Sequence, residues 1–281
     1  MKPIQWFPGH MTKAMRMMEK EISVADGVIY VLDARCPAAS FNKKLLEISG
    51  GKPVLFILNK SDLADGRADN LMKLIPGAIK VNAAIASSRK TILDGVNRLV
   101  AEKREKNAAK GYTKIFRFLV VGVPNTGKST IINLLAGSKR TVTGNKAGVT
   151  RGKQWIRLDG FELLDTPGTM PPACENQALA LHLAYVGSIN DDILDLDDIA
   201  LELLGELQEK YPKRLEERYG ISGGTKLEML ERVCARRGFI IKGGEIDYER
   251  GIRAVIDDFR KGRLGPVTLD SMNDVESVFK N

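Results

Sequence analysis

The sequence predicts an α/β fold, a mostly parallel sheet with helices on both faces, followed by an all-helical C-terminal domain. Three observations carry this. Between residues 28 and 165, short β-branched apolar runs alternate with amphipathic helical stretches. After Asp165 the strand-like runs largely stop. From residue 191 onward, apolar residues fall at helical spacing. A chain of 281 residues, 43% hydrophobic and 28% charged, is long enough for two ordinary domains and is not a disordered composition.

The strand candidates are 28–33, 53–59, 78–82, 116–122, 155–158 and 161–165. Helical stretches lie between them, the clearest at 88–106 and 128–136. Asp159-Gly160 joins the last two strands with a two-residue hairpin signal. The second half of 101–114 reads as a surface connection between two halves of one domain. Helices are then expected over 191–210, over 225–237 with Gly238 as C-cap, and over 247–261. In the last, Ile252, Val255, Ile256 and Phe259 form an apolar stripe. The expected domains are 1–177 and 178–281.

Charge divides along the same line. The net +8 is the sum of +13 in residues 1–177 (28 basic, 15 acidic) and −5 in residues 178–281 (15 basic, 20 acidic). A basic excess makes a polyanionic partner plausible without naming one. No apolar run approaches the roughly 20 residues of a membrane span, and the N-terminus carries no apolar signal core. Cys36, Cys174 and Cys234 are too few and too scattered for a disulfide framework or a zinc pattern. A soluble protein of a reducing compartment is the expectation.

Four short motifs carry chemistry. Gly122-Val-Pro-Asn125-Thr126-Gly127-Lys128-Ser129 fits GxxxxGK[ST], follows an apolar strand and opens a helical run at Thr130. Its glycines let the backbone wrap phosphate oxygens, Lys128 supplies a charge for the β- and γ-phosphates, and the Ser129 hydroxyl suits Mg²⁺. Asn59-Lys60-Ser61-Asp62 ends a buried strand and looks like the guanine-recognition motif NKxD. The Asp62 carboxylate can accept from guanine N1 and the exocyclic amine, a pair adenine lacks, so GTP is favoured over ATP. Asp165-Thr-Pro-Gly168 resembles the DxxG switch motif, with Asp165 toward magnesium and the Gly168 N–H toward the γ-phosphate. Thr150 lies where a switch threonine that adds its hydroxyl to Mg²⁺ belongs. Asn82-Ala83 is the weaker candidate for the base-supporting loop.

Their order is unusual. An ordinary GTPase runs phosphate loop, switch threonine, DxxG, NKxD and base loop. Here NKxD and the base loop precede the phosphate loop. The whole pattern therefore predicts a P-loop GTPase fold with circularly permuted motif order, the stretch 101–114 bridging the original termini. A permuted chain runs from the switch at Gly168 directly toward the helical domain, so a loop ordered by the γ-phosphate can pull on it.

With Trp6-Phe-Pro-Gly-His10-Met11 at the start, Asp33-Ala34-Arg35 after the first strand, and Tyr219-Gly220 and Gly243-Gly244-Glu-Ile-Asp-Tyr248 in the tail, the chain resembles the ribosome biogenesis GTPase A (RbgA/YlqF) family over nearly its whole length. The resemblance implies a cytoplasmic GTPase, monomeric off the ribosome, that acts late in assembly of the large (50S) ribosomal subunit. It would bind the precursor and its rRNA in the GTP state, be stimulated by that particle, and leave with GDP after hydrolysis. It also implies that His10 orients the attacking water, because Thr169 stands where many GTPases carry a glutamine. Most members have a bulky apolar residue at that position, and Thr169 departs from this. Asn125 matches an asparagine with which related GTPases hold K⁺. RNA contact is expected of Arg250, Arg253, Arg260 and Lys261, in a stretch (232–263) with nine basic and five acidic residues. The linker residues Lys103, Arg104, Lys106, Lys110 and Lys114 are a second candidate face. Two other readings stay open: a non-hydrolysing RNA-binding scaffold, and a permuted GTPase acting on another RNA or protein.

Overall fold

A computed structural model of the chain describes residues 3–5, 9–137, 155–158, 160–170 and 176–280, without the side chains of residues 9–12. It forms two compact units, one of Trp6–Cys174 with Thr268–Asn281, the other of Met1–Gln5 with Glu175–Val267.

The first unit holds helices α1 (Gly9–Ile22), α2 (Lys43–Ile48), α3 (Arg67–Met72), α4 (Ser88–Ala109) and α5 (Lys128–Ala136). Its strands are β1 (Gly27–Asp33), β2 (Val54–Asn59), β3 (Ile79–Lys80), β4 (Phe116–Val121), β5 (Trp155–Arg157) and β6 (Phe161–Asp165). They make one sheet in the order β3-β2-β1-β4-β6-β5, parallel except for the β5–β6 hairpin. All six strand candidates are present, each within two residues of its expected limits. Each interior strand is buried on both faces, which is why 29–32 and 119–121 read as unbroken apolar runs. Ile29, Ile57, Phe118, Ile131 and Leu163 sit together in the core. The order in which strands are added reverses at β1, whose neighbours β2 and β4 both run parallel to it, and the carboxyl ends of these three strands lie at the switch point where open α/β sheets take ligands.

The second unit holds α6 (Gln177–Tyr185), α7 (Leu196–Lys210), α8 (Pro212–Tyr219), α9 (Lys226–Arg237) and α10 (Tyr248–Arg260). Thr225 caps α9 in a reciprocal capping box with Glu228, and Gly238 ends it at φ 65°. Leu203, Leu207, Val233, Val255 and Ile256 supply its buried core. His182 is buried with Nε2 3.0 Å from Glu206 Oε1, a structural histidine.

One expected boundary shifts. Residues 268–281, assigned by sequence to the helical domain, belong to the sheet unit, where α11 (Met272–Phe279) packs. The Leu269 N–H donates to the Arg35 carbonyl (2.7 Å), and Asp270 Oδ2 accepts from the Ala38 (2.6 Å) and Ala39 (3.1 Å) N–H groups. The Phe279 ring lies 4.4 Å from that of Phe41. Polar spacing before α11 hid these partners, because they lie more than 200 positions away in sequence. At the other end, the Ile4 N–H donates to Gln177 Oε1 (2.8 Å), within the helical unit.

Candidate nucleotide site

Of the expected nucleotide-site residues, 59–62, 82–83, 125–130, Asp165 and Gly168 lie at or after the carboxyl ends of β2, β3, β4 and β6. Asn59 closes β2 in register with Asp33 of β1. Its side chain is buried, donates from Nδ2 to the Thr126 carbonyl (2.9 Å) and accepts at Oδ1 from the Ala83 N–H (3.0 Å). One amide thus fastens the NKxD turn to both the phosphate loop and the base loop. Asn82 folds its own loop, accepting from the Ala84 N–H (2.9 Å), while its carbonyl accepts from Ser88 Oγ (2.6 Å). Ser61 donates its N–H to the Val81 carbonyl (3.1 Å) and is half-buried, whereas Asp62 is exposed.

Among the described residues, Lys60 (φ 58°) and Asn125 (φ 61°) are the non-glycine residues at positive φ. Such strain gathers at functional sites, and each sits inside one of the two nucleotide motifs. A buried carboxylate holds Lys60 in place: Lys60 Nζ lies 3.0 Å from Asp33 Oδ2. Arg35 grips the same group in bidentate fashion, Nε to Oδ1 at 2.9 Å and Nη2 to Oδ2 at 2.8 Å. Burial would push the Asp33 carboxyl up, but the two cations outweigh it and hold the group well below the ordinary carboxylate range. Read from the sequence, Asp33 and Arg35 carry no role beyond family likeness. The legible signal was an acid at the end of a central strand next to the NKxD strand.

In the phosphate loop, Gly127 adopts φ 95°, and a Cβ there would stand 2.2 Å from Asn59 Nδ2. Thr126 is buried, its hydroxyl donating to the Val123 carbonyl (3.1 Å); Thr130 is half-buried in the first turn of α5. Lys128 is buried, with Nζ donating to the Gly122 (3.1 Å) and Val123 (2.9 Å) carbonyls. Burial lowers its pKa to about 8, with Asp165 opposing the shift and Lys60 adding to it.

Gly168 presses on the same loop: a Cβ on it would come within 2.7 Å of the Pro124 backbone and 3.0 Å of Lys128 Nζ. Asp165 Oδ2 accepts from Ser129 Oγ (2.8 Å), while Asp165 Oδ1 is buried without a hydrogen-bond partner. Burial raises this carboxyl. An orphaned carboxylate oxygen beside a serine hydroxyl is an oxygen donor set of the kind Mg²⁺ prefers, so these residues fit the ion.

Thr169 is fully buried and its Oγ1 has no hydrogen-bond partner. Met170 beside it is also buried. His10 is the second residue of α1, but its side chain is not among those described. Thr150 lies outside the described residues, as do Trp6, Phe7, Pro8, Asp159 and Cys174. Among the described residues, no group of three or more His, Cys, Asp or Glu residues is arranged to hold a metal by itself.

The candidate RNA residues fall on α10 and just after it. Arg253 pairs with Glu249 (3.0 Å) and Lys261 with Asp257 (2.5 Å). Arg250 covers the Phe239 ring at 4.5 Å. Arg260 turns inward, bidentate to Asp191 and donating to the Tyr185 (3.0 Å) and Ala184 (2.8 Å) carbonyls. In the linker, Lys114 pairs with Asp26 (2.5 Å), Lys106 pairs with Glu102, and Arg104 lies 5.7 Å from the Phe116 ring.

A parallel sheet with a GxxxxGKS loop, a DxxG turn and an NKxD turn joined by one asparagine, in permuted order, defines a circularly permuted GTPase. Comparison with known proteins agrees. Residues 117–218 match a family described as 50S ribosome-binding GTPase. The chain is 39% identical to ribosome biogenesis GTPase A of Bacillus cereus, with 98% of each chain covered, and 31% identical to that of Thermotoga maritima, covering 98% and 97%. A solved structure of GNP-bound YlqF from T. maritima superposes with a TM-score of 0.64 at 26% identity, covering 93% of this chain and 99% of that one. The chain belongs to the ribosome biogenesis GTPase A family: it is a GTPase of ribosome biogenesis that hydrolyses GTP.

Proposed function

We propose that the protein is a GTP-driven assembly factor for the large ribosomal subunit, binding its precursor and rRNA in the GTP state and leaving after hydrolysis. What supports this most is the contact of Gly168 with the phosphate loop. A γ-phosphate bound beside this contact would be read by the Gly168 N–H, and the chain continues from that glycine into the helical unit at Glu175. The description of the matched family, 50S ribosome-binding GTPase, supports the choice of particle.

The chain's own residues divide the work. Asp62 selects guanine, Asn59 keeps base loop and phosphate loop in register, and Lys60 covers the base from its position on Asp33. Lys128 exchanges two backbone carbonyls for phosphate oxygens. Ser129 and Asp165, with Thr150, are the residues that would hold Mg²⁺, which neutralises phosphate charge when bound. Asn125 is the candidate K⁺ ligand, tested by comparing turnover in potassium and sodium salts. His10 orients the attacking water once the N-terminal segment is docked by the particle, so hydrolysis is slow alone and fast on the subunit.

Co-sedimentation with large subunits tests this reading. Retention with a non-hydrolysable GTP analogue and loss with GDP is expected; equal retention with both would contradict a switch. His10→Ala should bind GTP as the parent does but lose stimulated turnover, and loss of both would remove the catalytic role.

A further inference from the structure

The helical unit carries more acid than base, and several of its cations each pair with a single carboxylate. Lys210 pairs with Glu206, Lys226 with Glu202, Arg253 with Glu249, Lys261 with Asp257 and Arg260 with Asp191. One place departs from this pattern. Asp258 of α10 is fully buried and is met by three arginines from three segments. Oδ2 accepts from Arg218 Nε of α8 (2.9 Å), from Arg237 Nη2 at the end of α9 (2.5 Å) and from the Tyr219 hydroxyl (2.9 Å). Oδ1 accepts from Arg263 Nη1 (2.9 Å).

A structural role alone leaves the number of arginines unexplained. A buried carboxylate is compensated by one well-placed cation and further hydrogen bonds, and Tyr219 already supplies one of those. Three guanidiniums around one carboxylate leave a formal surplus of two positive charges at a single point. Each guanidinium has five N–H donors and uses one of them on Asp258. Their side chains remain 31%, 32% and 46% exposed, so unused donors are open to solvent. Asp258 is held at a pKa of about 2 by these partners against the effect of burial, and so stays anionic and keeps the cluster assembled at neutral pH.

We propose that Arg218, Arg237 and Arg263 form a preorganised phosphate-binding cluster that takes backbone phosphates of RNA. Planar guanidinium forks match phosphate oxygens, and anchoring on Asp258 lowers the ordering cost of binding. A surplus of charge concentrated at one point on an acidic unit favours a dense polyanion over a protein surface of mixed charge. The choice of RNA rests on the ribosomal partner proposed above.

The test measures affinity of the full chain, loaded with a GTP analogue, for large subunits and separately for their protein-free rRNA, across a KCl series. Arg263→Gln, the most exposed position, and Arg237→Gln are each compared with the parent, with thermal melting as the check on folding. Each should weaken binding several-fold and reduce the slope of log K against log salt by about 0.7 to 0.9, the loss of one phosphate contact. Arg263→Lys should restore the slope because the charge returns, without restoring all the affinity that the fork gave. Parent-like slope and affinity in both glutamine variants, at parent-like melting, would overturn the cluster. Loss on intact subunits but not on protein-free rRNA would assign it to an acidic protein segment and overturn the RNA assignment. Failure of the parent to bind subunits would count against the proposed function alone, since the rRNA series still judges the arginines.

Discussion

Asn59 Nδ2 donates to the Thr126 carbonyl at 2.9 Å across 67 positions of chain, tying the guanine motif to the phosphate loop in a protein where the two have exchanged order. The same side chain accepts from the Ala83 N–H. Circular permutation leaves this junction intact, because it depends on which strands are neighbours and not on where the chain is cut.

Asn59→Ala removes both bonds and leaves a buried carbonyl and a buried N–H unpaired. The cost should be at least about 2 kcal/mol. Melting should fall by several degrees and guanine-nucleotide affinity should fall with it, measured by thermal denaturation and nucleotide titration. A parent-like melting curve would show that water replaces the amide freely.

The Gly168 contact makes a second expectation. Gly168→Ala places a methyl group 2.7 Å from the Pro124 backbone, where neither side can yield cheaply. Affinity for a GTP analogue should drop at least about tenfold, the factor that 1.4 kcal/mol represents. GDP affinity should change much less, because the proposed role of this turn is to read the γ-phosphate, which GDP lacks. Equal losses for the two nucleotides would remove the γ-phosphate assignment.

Lys128 predicts a pH dependence. In the nucleotide-free protein its pKa is about 8, lowered chiefly by burial, while bound phosphates favour the charged form. Above about pH 8 binding must therefore take up a proton, and affinity should decline toward tenfold per pH unit. For stability the sign is opposite. The folded value lies below the ordinary 10.5, so the unfolded chain holds more protons between these values and the free protein gains stability as pH rises through that window. Titration of GDP from about pH 7 to about pH 9 measures the first effect, and a flat profile would contradict the buried, shifted lysine.

Thr169→Val should stabilise the protein. The buried hydroxyl has no partner, so replacing it by a methyl group of similar shape should gain about 1 kcal/mol, a rise of roughly 2–4 °C in melting temperature. A fall would mean that the hydroxyl is satisfied by water.

Much of this was legible in the sequence. The strands announce themselves because residues such as Ile29, Ile57 and Val120 face buried layers on both sides, and the motifs do so because phosphate and guanine chemistry fixes residue type and spacing. The phosphate-loop helix is found at 128–136, as expected. Long-range polar partners were not legible. Asp33 reads as a strand-end acid until Lys60 and Arg35 are seen around it, and Asp258 reads as one acid of a helix face until Arg218 and Arg237 arrive from other helices. Arg260 fell beside an apolar stripe in the sequence, yet it is drawn inward by the carbonyls at the end of α6. Helical periodicity reports which face is apolar, and says nothing of which unpaired carbonyl lies within an arginine's reach.

The most direct measurement is steady-state GTP turnover by the full chain with and without purified large ribosomal subunits, at saturating GTP and Mg²⁺. Slow turnover alone and a rise of at least about tenfold with large subunits, absent with small subunits, is the expected result. Turnover unchanged by large subunits would contradict a particle-triggered switch.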